Sequence, residues 1–212
     1  MSTKNDFLHV PYGKTVHGEE EIEAVVNVLR TSTQMGKNVR EFEEKVAALY
    51  DKRHGVMVNS GSSALYLAVD LLQLPEGSEV ITPALTFATT VAPLVKNGLI
   101  PAFVDVEEGT YNTDWSKVEE MITPKTKAFM IPNLMGNLPD WKKLREIADK
   151  HNLFVVEDSA DTLGAEIDGK SSGRFADMST TSFYGSHVIN AGGNGGMLCL
   201  NDDKMLERAK LL

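Results

Sequence analysis

Four short segments of this chain carry residue types that could hold a charged heterocycle and move a proton on it. Asn59-Ser60-Gly61-Ser62-Ser63 leads into the apolar Ala64-Leu65-Tyr66-Leu67-Ala68-Val69. A glycine turn entering a helix leaves backbone amides facing outward, which makes a phosphate cradle; the same residues could equally be a serine cap with no ligand. Glu157-Asp158 closes an apolar run. A carboxylate at the end of a buried strand is desolvated, so Asp158 is either paired within the protein or matched to a ligand carrying positive charge, such as a ring nitrogen. Phe87, within Pro83-Ala84-Leu85-Thr86-Phe87-Ala88, could lie flat on a heterocycle or belong to the core of the next helix. Ser182-Phe183-Tyr184-Gly185-Ser186-His187 is followed by Ala191-Gly192-Gly193-Asn194-Gly195-Gly196. It supplies a hydroxyl and an imidazole, the side chain suited to general base work near neutral pH.

The elements that must position these residues follow from periodicity. Ile22, Val25, Val26 and Leu29 fall on one helical stripe, and Phe42, Val46 and Leu49 on another. Short apolar runs at 55–58, 79–82, 101–106, 127–132 and 153–157 then alternate with helical stretches near 62–73, 86–97, 114–122 and 139–151. Two more strands, 177–183 and 196–200, flank the glycine-rich segment, and a closing helix starts near Asp202-Asp203. Alternation of this kind requires crossover connections, hence a three-layer α/β/α domain with a mainly parallel sheet. Leu153-Phe154-Val155-Val156 is apolar at successive positions, as a strand covered on both faces must be. In such sheets ligands gather outside the carboxyl ends of the strands, where all four segments fall.

Composition narrows the class. The 212 residues are 42% hydrophobic and 24% charged, with a formal charge of -9 and no basic stripe, which favours a small-molecule partner and excludes a nucleic-acid footprint. No apolar run is long enough for a membrane span and the N-terminus lacks a secretory pattern, so a cytoplasmic chain is expected. Cys199 is the sole cysteine, so an intrachain disulfide is excluded; within Gly196-Met197-Leu198-Cys199-Leu200 it reads as a buried core thiol.

Taken together and in this chain order, the segments resemble the sugar aminotransferase family called DegT/DnrJ/EryC1/StrS, whose members are fold type I pyridoxal-phosphate enzymes. Gly36 with Phe42-Glu43, Tyr111-Asn112 and Pro132-Asn133-Leu134-Met135-Gly136-Asn137 extend the likeness over nearly the whole chain. The resemblance implies that Gly61, Ser62 and Ser63 hold the cofactor phosphate through backbone amides, with the Ser182 hydroxyl as a further donor. It implies that Phe87 stacks on the ring, that Asp158 pairs with the ring nitrogen, and that Asp161 lies near the ring hydroxyl.

At the position where aminotransferases of this family carry the lysine that tethers the cofactor, this chain has His187. Imidazole cannot make that covalent link. The resemblance therefore points to the family's histidine-containing branch of nucleotide-sugar 3-dehydratases, with pyridoxamine or pyridoxal phosphate bound noncovalently and His187 as the base. The substrate implied is a nucleotide-linked 4-keto-6-deoxyhexose. One subtype of that branch binds an iron–sulfur cluster through a cysteine where this chain has Ala160, and Cys199 alone cannot support such a centre. The hydrolytic GDP-sugar subtype needs none, whereas Asn97-Gly98-Leu99-Ile100-Pro101 looks closer to the CDP-sugar type; the subtype stays open.

Family members run to about twice this length, so the resemblance implies that residues 1–212 form the large cofactor domain, ending before a small C-terminal domain. A homodimer or a complementing C-terminal polypeptide is then expected. Two other readings stay open: a sugar-nucleotide aminotransferase using another lysine, such as Lys170 after the turn Asp168-Gly169, and a noncatalytic cofactor-binding remnant.

Overall fold

The computed structural model describes residues 8, 10, 11, 13, 14 and 16–212. Two compact units divide at Gln34. In the first, α1 (Glu19–Thr31) carries three glutamates in its opening turn, where the helix dipole favours them. The Glu21 carboxylate accepts from the Gly18 amide at 2.6 Å. None of its side chains is buried, and Ile22, Val25 and Leu29 of the expected stripe are exposed.

The second unit, Met35–Leu212, is built as α2 (Lys37–Leu49), β1 (His54–Val58), α3 (Gly61–Leu72), β2 (Glu79–Pro83), α4 (Ala88–Lys96), β3 (Ile100–Val104), α5 (Trp115–Val118), β4 (Thr126–Pro132), α6 (Trp141–His151), β5 (Phe154–Asp158), the hairpin strands β6 (Glu166–Ile167) and β7 (Lys170–Ser171), β8 (Met178–Ser182), β9 (Gly196–Leu200) and α7 (Asp203–Ala209). The main sheet has seven strands in the order β1-β9-β8-β5-β4-β2-β3. Only β9 runs against the others, pairing antiparallel with both β1 and β8. The mainly parallel three-layer fold is therefore present, and the reversed β9 is its one departure from the alternation pattern.

Adjacent residues along each strand serve opposite layers, which explains the unbroken apolar runs. Val80, Met130 and Val156 pack with Leu65, Ala68 and Leu94 of α3 and α4. Their neighbours Ile81, Phe129, Ile131 and Val155 pack with Trp115 of α5 and Trp141, Leu144 and Ile147 of α6. Val46, Ala47 and Tyr50, at the end of α2, cover Met197, Cys199 and Phe183. Leu49, expected on the buried stripe, is 44% exposed; Ala47 takes its place in the core. Cys199 is fully buried as expected, and burial pushes its thiol pKa well above the ordinary range. Edge strand β1 is blunted on its open side: the Met57 amide donates to Glu43 Oε1 at 2.9 Å.

The segment expected as a helix over 114–122 is a single α turn, α5, followed by a 3₁₀ turn at Glu119–Met121. The strand expected to reach residue 106 ends at Val104, because the Asp105 carbonyl is taken by the Asp114 amide at 3.0 Å and Val106 bridges to Thr113. No described helix is long and apolar enough to cross a membrane.

Candidate active site

Six of the seven sheet strands point their carboxyl ends the same way, so the loops after β1, β2, β4, β5 and β8 open on one edge of the sheet. The register fixes which residues arrive there together. Ser182 and Val58 both pair with Gly196, and Asp158 lies between Pro132 and Thr180.

The segment after β1 folds as a cap. Ser60, extended at φ -163° and ψ 159°, accepts from the Ser63 amide at 3.1 Å, and Ser63 Oγ donates to Asn59 Oδ1 at 2.5 Å. The Gly61 and Ser62 amides have no acceptor among the described residues. They are the two free donors at this helix end, whereas the Ser63 amide, expected to be a third, is used by the cap. Close packing explains two of the glycines. A Cβ on Gly61 would stand 2.6 Å from Ser182 Cβ, and one on Gly196 would stand 2.2 Å from the Ser60 carbonyl oxygen. The cradle and Ser182 are thus in contact, and no larger residue at either glycine would leave them so.

Asp158 is 6% exposed and has no ion-pair partner among the described residues. Its Oδ2 accepts from Thr90 Oγ1 at 2.7 Å and its Oδ1 from the Ala160 amide at 3.2 Å. Burial raises its pKa above the ordinary carboxylate value; the Thr90 and Ala160 donors pull it back, and the charges of Asp161 and Glu157 push it up again. A buried acid in that balance has room for a cationic partner that the described residues do not supply. Phe87 is the N-cap of α4 and 71% exposed, so it is not a core residue of that helix. It shares the edge with Asp158 and makes no aromatic contact among the described residues, leaving its face open to a flat ligand.

His187 lies in the connection between β8 and β9. Its amide donates to the Tyr184 carbonyl at 2.9 Å, and the two rings meet edge to face at 5.8 Å. Nδ1 is buried without a partner, while Nε2 lies 3.9 Å from Asp161 Oδ1. Nε2 is therefore the nitrogen available to exchange a proton. Asp161 is held from its other side: Oδ2 accepts from the Met135 amide at 2.9 Å. Met135 sits at φ 54°, an uncommon left-handed conformation for an unbranched apolar side chain, and is 73% exposed.

Lys170, the alternative amine, is exposed in the β6–β7 hairpin at a turn made by Asp168 and Gly169 at φ 52° and 71°. It is not on a carboxyl end of the main sheet.

Sequence reasoning missed the polar layer behind Asp158. Glu157 is fully buried and accepts from Asn133 Nδ2 at 2.8 Å, Ser172 Oγ at 2.6 Å and Ser179 Oγ at 2.6 Å. Asn133 also donates to Ser159 at 2.8 Å and accepts from Trp141 Nε1 at 2.8 Å. The signal was present as a charged residue inside an apolar strand, since a buried carboxylate must collect several donors. Asn112 and Asn137 tie the loops after β3 and β4, donating to Leu138 O at 3.1 Å and Thr110 O at 2.6 Å.

The fold and this edge define a class: a mainly parallel-sheet domain with free helix amides, an open aromatic face and a buried, unpaired acid on one edge. Residues 15–212 match the model of the DegT/DnrJ/EryC1/StrS aminotransferase family, and the chain belongs to that family. It is 39% identical over 196 residues to a dTDP-4-dehydro-2,6-dideoxy-D-glucose 3-dehydratase of Saccharopolyspora spinosa, covering 89% of this chain and 42% of the relative. It is 38% identical over 180 residues to a GDP-perosamine synthase of Caulobacter vibrioides, covering 85% and 48%. Among solved structures, GDP-4-keto-6-deoxy-D-mannose-3-dehydratase of E. coli with bound hydrated PLP superposes with a TM-score of 0.88 at 31% identity, over 93% of this chain and 52% of that one. The chain thus spans about half the length of the proteins it matches.

Proposed function

We propose that this chain is the cofactor-binding part of a pyridoxamine-phosphate-dependent 3-dehydratase acting on a nucleotide-linked 4-keto-6-deoxyhexose, in deoxysugar or O-antigen-type polysaccharide biosynthesis. The observation that carries the reading is His187, an imidazole on the β8–β9 connection with Nε2 turned toward Asp161. A transaminating relative needs a primary amine there.

The described residues fit the cofactor's chemistry. Gly61 and Ser62 offer two free amides beside the Ser182 hydroxyl for the phosphate, Phe87 offers an open face for the ring, and Asp158 is a buried acid with no cation of its own. When bound, pyridoxamine phosphate supplies an amine able to condense with a ketone and a protonated ring that draws electrons. His187 holds and returns the moving proton at Nε2, with Asp161 as its nearest carboxylate. Ser182 and the α3 amides keep the ligand's anionic end fixed so that the proton is exchanged at one place. The remaining sugar and nucleotide contacts fall to the further length that the relatives possess, whether in a homodimer or supplied by a complementing polypeptide, in the cytoplasm.

Native mass spectrometry tests the reading, with pyridoxal and pyridoxamine phosphate each offered with and without borohydride. A pyridoxamine-phosphate complex, no reduced lysine adduct, and ammonia release from a 4-keto-6-deoxy nucleotide sugar are expected. A specific reduced lysine adduct, or no binding of either form, overturns it.

A further inference from the structure

The first turn of α4 delivers two residues to one place. Phe87 is its N-cap, and three residues on, Thr90 is fully buried with its side chain aimed at Asp158. A threonine inside a helix usually satisfies its hydroxyl on the carbonyl one turn back. Here Thr90 Oγ1 donates instead to Asp158 Oδ2 at 2.7 Å, and accepts from Thr86 Oγ1 at 2.8 Å. Because the Thr86 proton occupies an acceptor site of Thr90, the Thr90 proton is left to point at the carboxylate, and each bond in such a chain polarises the next. With the Ala160 amide on Oδ1 at 3.2 Å, Asp158 is gripped by one donor on each oxygen.

We propose that Thr90, backed by Thr86, is a positioning residue that holds Asp158 as an oriented carboxylate facing the ring nitrogen of the bound cofactor, so that one helical turn sets both the stacking face and the acid. The cofactor part of this statement rests on the function proposed above. The grip on Asp158 stands on the ligand-free geometry alone. The other charged groups acting on Asp158 are Asp161 and Glu157, both of which oppose its ionisation, so the two neutral donors are what favours the charge.

The test is made in two states of the same chain. In the ligand-free protein, the Asp158 carboxyl carbon is followed by 13C NMR against pH, with Asp158→Asn to assign it. Thr90→Val, which keeps the shape and removes the hydroxyl, is expected to move the titration midpoint upward, while Thr90→Ser keeps it in place. With pyridoxamine phosphate labelled with 15N at the ring nitrogen, wild type and Thr90→Ser are expected to show the protonated ring. Thr90→Val is expected to show a ring shifted toward the neutral form, with about tenfold weaker binding. Thr90→Ala serves in both measurements if the valine variant does not fold. Unchanged midpoint and unchanged ring nitrogen overturn the proposal. A shifted midpoint in a chain that binds no pyridoxamine phosphate upholds the grip on Asp158, and overturns both its cofactor role and the proposed function.

Discussion

Gly61 and Ser182 are in contact across the sheet edge: a methyl added at Gly61 would stand 2.6 Å from Ser182 Cβ and 3.1 Å from its Oγ. The helix that presents the free amides and the strand end that presents the hydroxyl are thus fixed by the lack of one carbon. Gly61→Ala forces β8 and α3 apart and is expected to cost about 1–3 kcal/mol in stability, as overpacking does. Ser182→Ala frees the Tyr184 amide and removes the proposed hydroxyl donor to the phosphate, with an expected loss of about 10- to 100-fold in pyridoxamine-phosphate affinity. Isothermal titration separates the two, because pyridoxamine without its phosphate should bind wild type and Ser182→Ala equally.

Asp158 gives a pH dependence whose sign is fixed by its burial. An acid whose pKa is raised on folding is ionised first in the unfolded chain, so the folded state is most favoured below the ordinary value of 3.8 and loses stability as pH rises through the raised folded value. Asp158→Asn has no such loss. The melting temperature of the ligand-free variant minus that of wild type is expected to grow between pH 4 and pH 7, by about 2–4 °C for each kcal/mol involved in a chain of this size. Saturating pyridoxamine phosphate should shrink that difference, since only wild type gains a partner for the charge.

The placement of Gly61 and Asp158 was legible because they fall at or just after the apolar runs of β1 and β5, where a parallel sheet opens its loops. Ser182 and His187 follow β8, where β-branched threonines between Met178 and Phe183 mark the strand in place of an apolar run. What was not legible depends on pairing across the sheet. The reversal of β9 comes from a glycine-rich return that lets Gly196 pack on the Ser60 carbonyl, a contact between residues far apart in sequence. Thr90 is an ordinary helix residue until the β2–β4–β5 order brings Asp158 beside it. The stripe carrying Leu49 failed because a helix lying across β1 and β9 buries Val46 and Ala47, not a symmetric face.

Asn133 joins the polar layer through both ends of its amide, so its loss strands Trp141 and weakens the grip on Glu157 at once. Asn133→Ala leaves Trp141 Nε1 without its acceptor and removes a donor from Glu157 Oε1. A cost of about 1–3 kcal/mol is expected, from one orphaned buried donor and a buried carboxylate that keeps Ser172 and Ser179 but loses the amide. Asn133→Asp should be worse, because it sets a second carboxylate against Glu157 in a buried site. Urea unfolding of the three proteins gives the order directly: midpoints should fall from wild type to Ala to Asp with little change in slope.

His187 carries the proposed reaction class, and replacing it by lysine separates position from identity. The β8–β9 connection holds the residue through its backbone, the His187 amide bonding to the Tyr184 carbonyl at 2.9 Å, so a side-chain change leaves the loop anchored. A lysine there is long, flexible and unbranched, and Asp161 remains on the same side to attract its ammonium. His187→Lys is therefore expected to capture pyridoxal phosphate covalently. Borohydride should fix one cofactor mass on the variant, and peptide mapping should place it at residue 187. Wild type treated in parallel should carry no adduct, and His187→Gln should bind pyridoxamine phosphate within a few-fold of wild type, since the proposed phosphate, ring and nitrogen contacts all come from other residues. Covalent capture on wild type at any lysine would instead show that the site has an amine within reach, and that His187 does not decide the reaction class.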